Sequence, residues 1–357
     1  MWNPHLGSNI RIAFMTKSKA VRRVGCDVYL CVLEKIKVVP LAFESLGVRS
    51  MCTYIETPDI RVLLDAGVSL GPKRYGLPPH PRECKALKES REKIVETAEK
   101  ADAVTISHYH FDHHTPSYTD WAYNWSSSEI ADRIYSGKLV LMKSYRSRVN
   151  VSQRRRGWIF VNTGGRKAEK LEVSDKRSFK FGDTTLRFSP PVSHGEENSG
   201  LGWLVMTTIE YSNAERVLFA SDVQGPISKK ALEIILAERP SLLIVGGPPL
   251  YLAGMVKEES LEMGFENLER IAEKVPLVIL DHHLLRDREW TKKTQPAFNI
   301  ASRTEHKIVT AAEYIGEKNQ LLEARRDELY KDDPPSQEFT KWTKIPVLKR
   351  KLTPPPI

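Results

Sequence analysis

From residue 36 onward the chain alternates short apolar runs with charged segments of helix length. The runs Val38 to Phe43, Met51 to Glu56 and Arg61 to Leu64 are strand-sized, and Thr57-Pro58-Asp59 predicts a tight hairpin turn between the last two. Further strands are predicted at Ala103 to Ile106, Leu139 to Met142, Leu186 to Ser189, Leu204 to Thr208, Arg216 to Ala220, Leu242 to Val245 and Leu277 to Leu280. Leu87, Ile94, Val95 and Ala98 share one face of a helix running from Arg82 to Lys100, with charges around the rest. Ser228 is a good N-cap for a second helix that stops before Pro240, and Leu261, Phe265, Leu268 and Ala272 form the stripe of a third, from Lys257 to Lys274. Thr310-Ala-Ala-Glu313 has the form of a capping box and predicts a last long helix. Early strands come in neighbouring pairs and later ones are separated by helices. That pattern predicts an α/β fold with two sheets and helices packed outside.

The two ends break the pattern. Residues 1–36 carry six Lys and Arg against two acids and read as a basic extension, either disordered or upstream of the true start. The apolar run Val24 to Leu33 is interrupted by Cys26 and Asp27 and lacks a small-residue cleavage site, so it does not read as a secretory signal. Residues 331–357, with Asp332-Asp333-Pro334-Pro335 and a Pro-rich finish, show no helical periodicity and read as a basic tail. The predicted folded domain is therefore 37–330.

Composition narrows the classes. With 357 residues, 41% of them hydrophobic, the chain can bury a sizeable core, and no apolar run approaches the roughly 18 residues of a membrane span. Four cysteines, at 26, 31, 52 and 84, are too few for a disulfide framework, and the expected compartment is the reducing cytoplasm. Net charge is +9, and nine basic residues against the single acid Glu169 fall between Lys143 and Lys170. That run can track phosphates, and it can equally be the solvated face of a basic protein.

The chemistry lies at the strand ends. The predicted strand Ala103 to Ile106 runs into Ser107-His108-Tyr109-His110-Phe111-Asp112-His113-His114, four histidines and a carboxylate within seven positions. Other strands end in Asp65-Ala66-Gly67, His194-Gly195, Asp222 and Asp281-His282-His283. In extended geometry His108 and His110 point to the same side and can share one metal. Asp112 and His113, past the turn, can serve a neighbouring one. Imidazole and carboxylate suit zinc, iron or manganese better than magnesium or calcium.

The order Asp65, His108-x-His110-x-Asp112-His113, His194, Asp222 and His282 resembles the five motifs of the metallo-β-lactamase superfamily, spread over most of residues 36–290. Glu44 to Ser50 and Gly71 to His80 are similar to an uncharacterised archaeal branch of it. The resemblance implies an αββα four-layer sandwich, with mixed sheets, helices on both outer faces, and a site for two divalent ions, zinc or else Mn2+ or Fe2+. It implies that His108, His110 and His194 hold one ion, that Asp112, His113 and His282 hold the other, and that Asp222 bridges them. Asp65 would orient a ligand histidine. His282 is preferred over the adjacent His283 because Arg286 then falls four positions later, as in the transfer-RNA-processing branch. The 60 residues from Asp222 to His282 leave no room for the inserted domain of the branch that cleaves messenger RNA.

The expected function is hydrolysis by a metal-activated hydroxide, with Asp112 handling a proton and His283, or else the supporting His114, protonating the leaving group. A phosphodiester, from a small molecule or a nucleic acid such as RNA, is the first substrate class, with Lys73 and Arg74 as candidate substrate contacts. A thioester or lactone is the second. A non-hydrolytic iron-binding redox or sensor protein is the third. No membrane partner is expected, and a homo-oligomer is left open.

Overall fold

The structure is a computed structural model and describes residues 33–197 and 200–357. Most of the predicted N-terminal extension, 1–32, lies outside the described residues. The first sheet holds β1 (Lys37–Phe43), β2 (Met51–Glu56), β3 (Arg61–Leu64), β4 (Ala103–Ile106), β5 (Leu139–Met142) and β6 (Lys170–Val173), side by side in chain order. The second runs β7 (Ser178–Phe181), β8 (Thr184–Phe188), β11 (Thr207–Tyr211), β12 (Glu215–Ser221), β13 (Leu242–Gly246), β14 (Leu277–Asp281) and β15 (Lys307–Val309). A short pair, β9 (Val192–Ser193) and β10 (Trp203–Leu204), stands apart from both. The single strand expected over Leu204 to Thr208 is thus split between β10 and β11.

Pairing type dictates where helices fall. Antiparallel pairs such as β2–β3, with Glu56 opposite Arg61, close through the short turn that the sequence predicts. Parallel pairs need a crossover. The helices α1 (Pro81–Ala98), α2 (Ser128–Tyr135) and α3 (Val151–Asn162) link β3 to β6, and α4 (Lys229–Glu238), α5 (Glu258–Lys274) and α6 (Trp290–Arg303) link β12 to β15.

The period-two alternation of the strands sorts side chains between layers. Val217 and Phe219, Leu242 and Ile244, and Leu277 and Ile279 face Val62, Leu64 and Leu141 across the gap between the sheets. Their neighbours Leu218, Leu243 and Val278 pack outward with Leu232, Leu268 and Ile271 of α4 and α5. On the other side Leu63 and Val104 pack with Leu87, Ile94 and Ile134 of α1 and α2. Strands covered on both faces read as continuous apolar runs, which is why they stood out. The layers are helix, sheet, sheet, helix: the αββα sandwich.

Two expectations are corrected. Thr310 and Glu313 do form a capping box, but the helix it opens, α7 (Ala311–Tyr314), is a single turn, because Gly316 follows in the left-handed region at φ +77. Residues 331–357 are not a loose tail. After α8 (Arg326–Asp332) they form α9 (Gln337–Thr343) and α10 (Val347–Leu352). Phe339 and Trp342 are buried in the outer core of the first sheet, and the Trp342 indole donates to the Thr353 carbonyl at 2.9 Å. Phe339→Ala should lower unfolding stability by about 3 kcal/mol, read as a fall in denaturant midpoint. A detached tail would leave the midpoint where it was.

Candidate metal centre

Every strand end singled out in the sequence arrives at the same edge of the sandwich. The backbone must turn sharply there, and three non-glycine residues take positive φ to do so: Asp65 at +48, Ser221 at +56 and His282 at +65. The approach is tight. A Cβ at Gly67 would lie 2.3 Å from the His114 nitrogen and 2.4 Å from that of His113, so only glycine lets the two loops touch. The buried Arg91 of α1 clamps the same loops, donating to the carbonyls of Ala66 at 3.2 Å and Asn124 at 3.0 Å and to the Thr115 hydroxyl.

Asp65 is fully buried and saturated. It accepts from the Ser107 backbone N–H at 2.7 Å, the Ser107 hydroxyl, His113 Nδ1 at 2.8 Å and the Ser221 hydroxyl at 2.9 Å. The carboxylate accepts the hydrogen bond from the Nδ1 N–H, so the lone pair of His113 Nε2 faces the site. Glu44 does the same for His282, accepting from Nδ1 at 2.9 Å, and its other oxygen is paired with the Arg286 guanidinium.

Asp222 sits at the centre. Its Oδ2 lies 2.7 Å from His194 Nε2, 3.0 Å from His283 Nε2, 3.4 Å from His282 Nε2 and 4.0 Å from His113 Nε2. Four sets of ligand atoms, each within 4.8 Å of one another, occur here: His108, His110, His194 and Asp222; Asp65, His108 and His113; Asp112, His113 and His282; and Asp222, His282 and His283. The first and third contain the histidines of the two groups that the resemblance implies, the third without Asp222, and the fourth brings in His283 beside His282. His283 reaches Asp222 as well, but its Nδ1 lies 2.9 Å from the Tyr251 hydroxyl and 3.2 Å from Arg286 Nη1. A guanidinium only donates, so Nδ1 accepts and the proton sits on Nε2, facing Asp222. His283 is thereby turned into a donor, whereas burial pushes His282 down and Glu44 and Asp222 outweigh it, raising the ring to about 10, so an ion held there would displace a proton.

The donor set fits cations. Burial first, then the neighbouring His113, His110 and His194, holds His108 well below its ordinary value. Burial and His194 push His110 down to about 3. Both rings are therefore neutral, the form that ligates. His108 Nε2, His113 Nε2 and Asp222 Oδ1 are buried with no hydrogen-bond partner among the described residues. Atoms left in that state cost about 1–3 kcal/mol each. A pair of divalent ions would satisfy all three.

A cavity of about 1110 Å³ opens onto this cluster. Lys73 lines it. Arg74 does not: it donates to the Arg286 carbonyl at 2.7 Å and lies over the rings of Tyr75 and Tyr251, so it braces the wall instead. His114 also points away from the chemistry, its Nδ1 on the His110 carbonyl at 2.8 Å and its ring packed near Phe160. Within the basic run, Lys143 is buried on Asp175 and Lys167 pairs with Asp132, while Arg156 reaches the cavity. Thr343, Val347, Arg350 and Lys351 of the C-terminal helices supply another stretch of lining. Sequence reasoning passed over Tyr251 and gave Glu44 and Arg49, though they fall in the stretch Glu44 to Ser50 that resembles the archaeal branch, no role in the site. Glu44 had a readable signal, a carboxylate directly after a predicted strand, the same mark that exposed Asp65.

The αββα sandwich with its strand-end histidines is the arrangement that the resemblance to the metallo-β-lactamase superfamily implies. The chain belongs to the UPF0282 family: it is 44% identical over 295 residues to the UPF0282 protein of Methanopyrus kandleri, covering 82% of this chain and 99% of that one. It is 46% identical over 297 residues to that of Thermococcus gammatolerans, covering 83% and 95%. No family model matches the chain. Among solved structures, Tm1679, described as a metal-dependent hydrolase of the β-lactamase superfamily, aligns with a TM-score of 0.41 at 14% identity over 78% of this chain and 96% of that one. No helix among the described residues is long and apolar enough to cross a membrane.

Glu44→Gln and Asp65→Asn remove the two carboxylates that orient ligand rings from outside the cluster. Each should weaken metal binding by roughly 10–100-fold, measured by competition with a chromogenic chelator. Unchanged affinity in both would show that the rings need no such support.

Proposed function

We propose that this protein is a metal-dependent hydrolase acting on phosphodiesters, RNA among the candidates. The observation that carries the reading is Asp222, buried where two histidine-rich ligand sets share it, with one oxygen that has no hydrogen-bond partner among the described residues. His108, His110 and His194 would hold one divalent ion, Asp112, His113 and His282 a second, and Asp222 both. Such a pair supplies an activated water at neutral pH, since a zinc-bound water has a pKa of about 7.

The protein's own groups then have separable tasks. Burial pushes the Asp112 carboxyl up, but His113, His282, His110 and Arg286 outweigh it and keep Asp112 ionised, ready to accept or orient the proton of the attacking water. Burial and Arg286 keep His283 neutral with its proton on Nε2, so it gives that proton to the departing oxygen as Nδ1 takes the Tyr251 hydroxyl proton, the phenolate left behind lying against the Arg286 guanidinium. Arg286, pinned by Glu44 with its Nη2 3.8 Å from Asp112, fixes both histidines in orientation.

Purified protein should bind about two metal ions per chain and hydrolyse bis(p-nitrophenyl) phosphate. Asp222→Ala and His110→Ala should lower metal content and rate together. Full metal occupancy with no diester turnover above the Asp222→Ala background would sink the proposal, and a preference for thioesters or lactones in a paired screen would redirect it. His283→Gln tests the proton donor. It should slow cleavage of a dinucleotide, whose alkoxide leaving group needs a proton, by about 10²-fold or more. p-Nitrophenolate leaves without one, so the aryl diester should be nearly spared. Equal losses on both substrates would remove His283 from that role.

A further inference from the structure

Six cations line the metal cavity, Arg49, Lys73, Arg156, Arg286, Arg350 and Lys351, against the three carboxylates Asp112, Asp120 and Asp222. Three of the six are neutralised locally: Arg49 by Glu323 at 2.5 Å, Arg286 by Glu44, and Lys351 by Asp120 at 2.9 Å. Of the others, Lys73 is exposed, and Arg350 is engaged by the Thr343 carbonyl at 2.7 Å and the Tyr123 hydroxyl. Arg156 differs. It is half-buried, has no carboxylate partner among the described residues, and makes one hydrogen bond, to the Tyr109 carbonyl at 3.3 Å. Its guanidinium lies over the Phe111 ring, 4.4 Å from the centroid. Tyr109 and Phe111 flank His110, so this cation rests against the metal-bearing loop itself.

The placement depends on the next residue. A Cβ at 157 would fall 2.4 Å from Tyr145 Cβ and 2.8 Å from the Tyr109 ring, so glycine is what lets α3 press onto the loop. The capping box of Asn150 and Gln153 fixes the start of the same helix. Burial lowers the Arg156 pKa, with Asp112 opposing it. A half-buried cation with most of its five N–H donors uncommitted is a poor structural element and a good oxyanion receptor.

We propose that Arg156 is the anion-binding residue of the substrate site, taking a phosphate oxyanion of the substrate in a bidentate contact beside the metal cluster. This rests on the hydrolase reading and narrows it: the substrate is a phosphorylated compound, not a neutral ester or lactone. Phe111, beneath the guanidinium, holds its plane in place while the N–H edges stay available. The remaining basic residues of the run from Lys143 to Lys170 take no part.

The test is calorimetric titration of inorganic phosphate into the metal-loaded full chain. Arg156→Gln should weaken phosphate binding about tenfold, the scale of a charged hydrogen-bonding pair, with metal content and circular dichroism unchanged. Arg156→Lys keeps the charge and the stem but loses the fork, and should weaken binding a few-fold. Lys167→Gln removes the same charge outside the cavity and should bind as the parent does. Wild-type affinity in Arg156→Gln overturns the proposal, as does an equal loss in Lys167→Gln. Because the titration involves no turnover, the two readings fail separately. Phosphate affinity that depends on Arg156, in a protein cleaving no diester, would remove the hydrolase and keep the anion site. Turnover with Arg156-independent phosphate binding would do the reverse.

Discussion

The carboxylate of Asp65 is the interaction on which the rest of the site depends. It belongs to the first sheet, at the end of β3, and accepts from Ser107 after β4 and from Ser221 at the end of β12 in the second sheet. One buried side chain therefore ties the two sheets together at the functional edge while turning His113. Ser107 passes the effect along, its hydroxyl lying 3.0 Å from His108 Nδ1. Removing the carboxylate would strand several buried donors at once, a cost greater than one hydrogen bond because the members of such a network support one another.

The same edge holds backbone in the left-handed region. Asp65, Ser221 and His282 all sit in the left-handed region, where a side chain ordinarily costs about 1 kcal/mol or more. Each is held by a bond made through the strained residue or the one before it. Asp65 and Ser221 bond to each other, and the Asp281 carboxylate accepts from the His282 backbone N–H at 2.7 Å.

Much of this was legible because strands buried on both faces leave continuous apolar runs, and the polar residue that ends each run then stands out. Asp65, His108, His194, Asp222 and His282 were found in that way. What stayed hidden has physical causes. The buried face of α3 is Gln153, Gly157 and Phe160, so two of its three inward positions carry no apolar signal. In α9 only Phe339 and Trp342 anchor the helix, between prolines and charges that resemble a linker. Arg74 looked like a substrate contact because charge is visible in a sequence and direction is not. Its partner, the Arg286 carbonyl, lies 212 residues away.

The order of strands carries a further consequence, for the route by which the chain folds. In each main sheet neighbouring strands are also successive along the chain, apart from the detached pair β9–β10, so each half draws its pairings from its own stretch of chain, with the parallel pairs closing long crossovers. Asp65, His108, His110 and His113 belong to the first half, and His194, Asp222 and His282 to the second. Neither half alone holds either of the two groups that the resemblance implies. The centre comes into being only when the halves dock, and an ion bound across the seam would favour that docked state by mass action. The metal would then act as a latch on the final step of folding as well as a participant in chemistry.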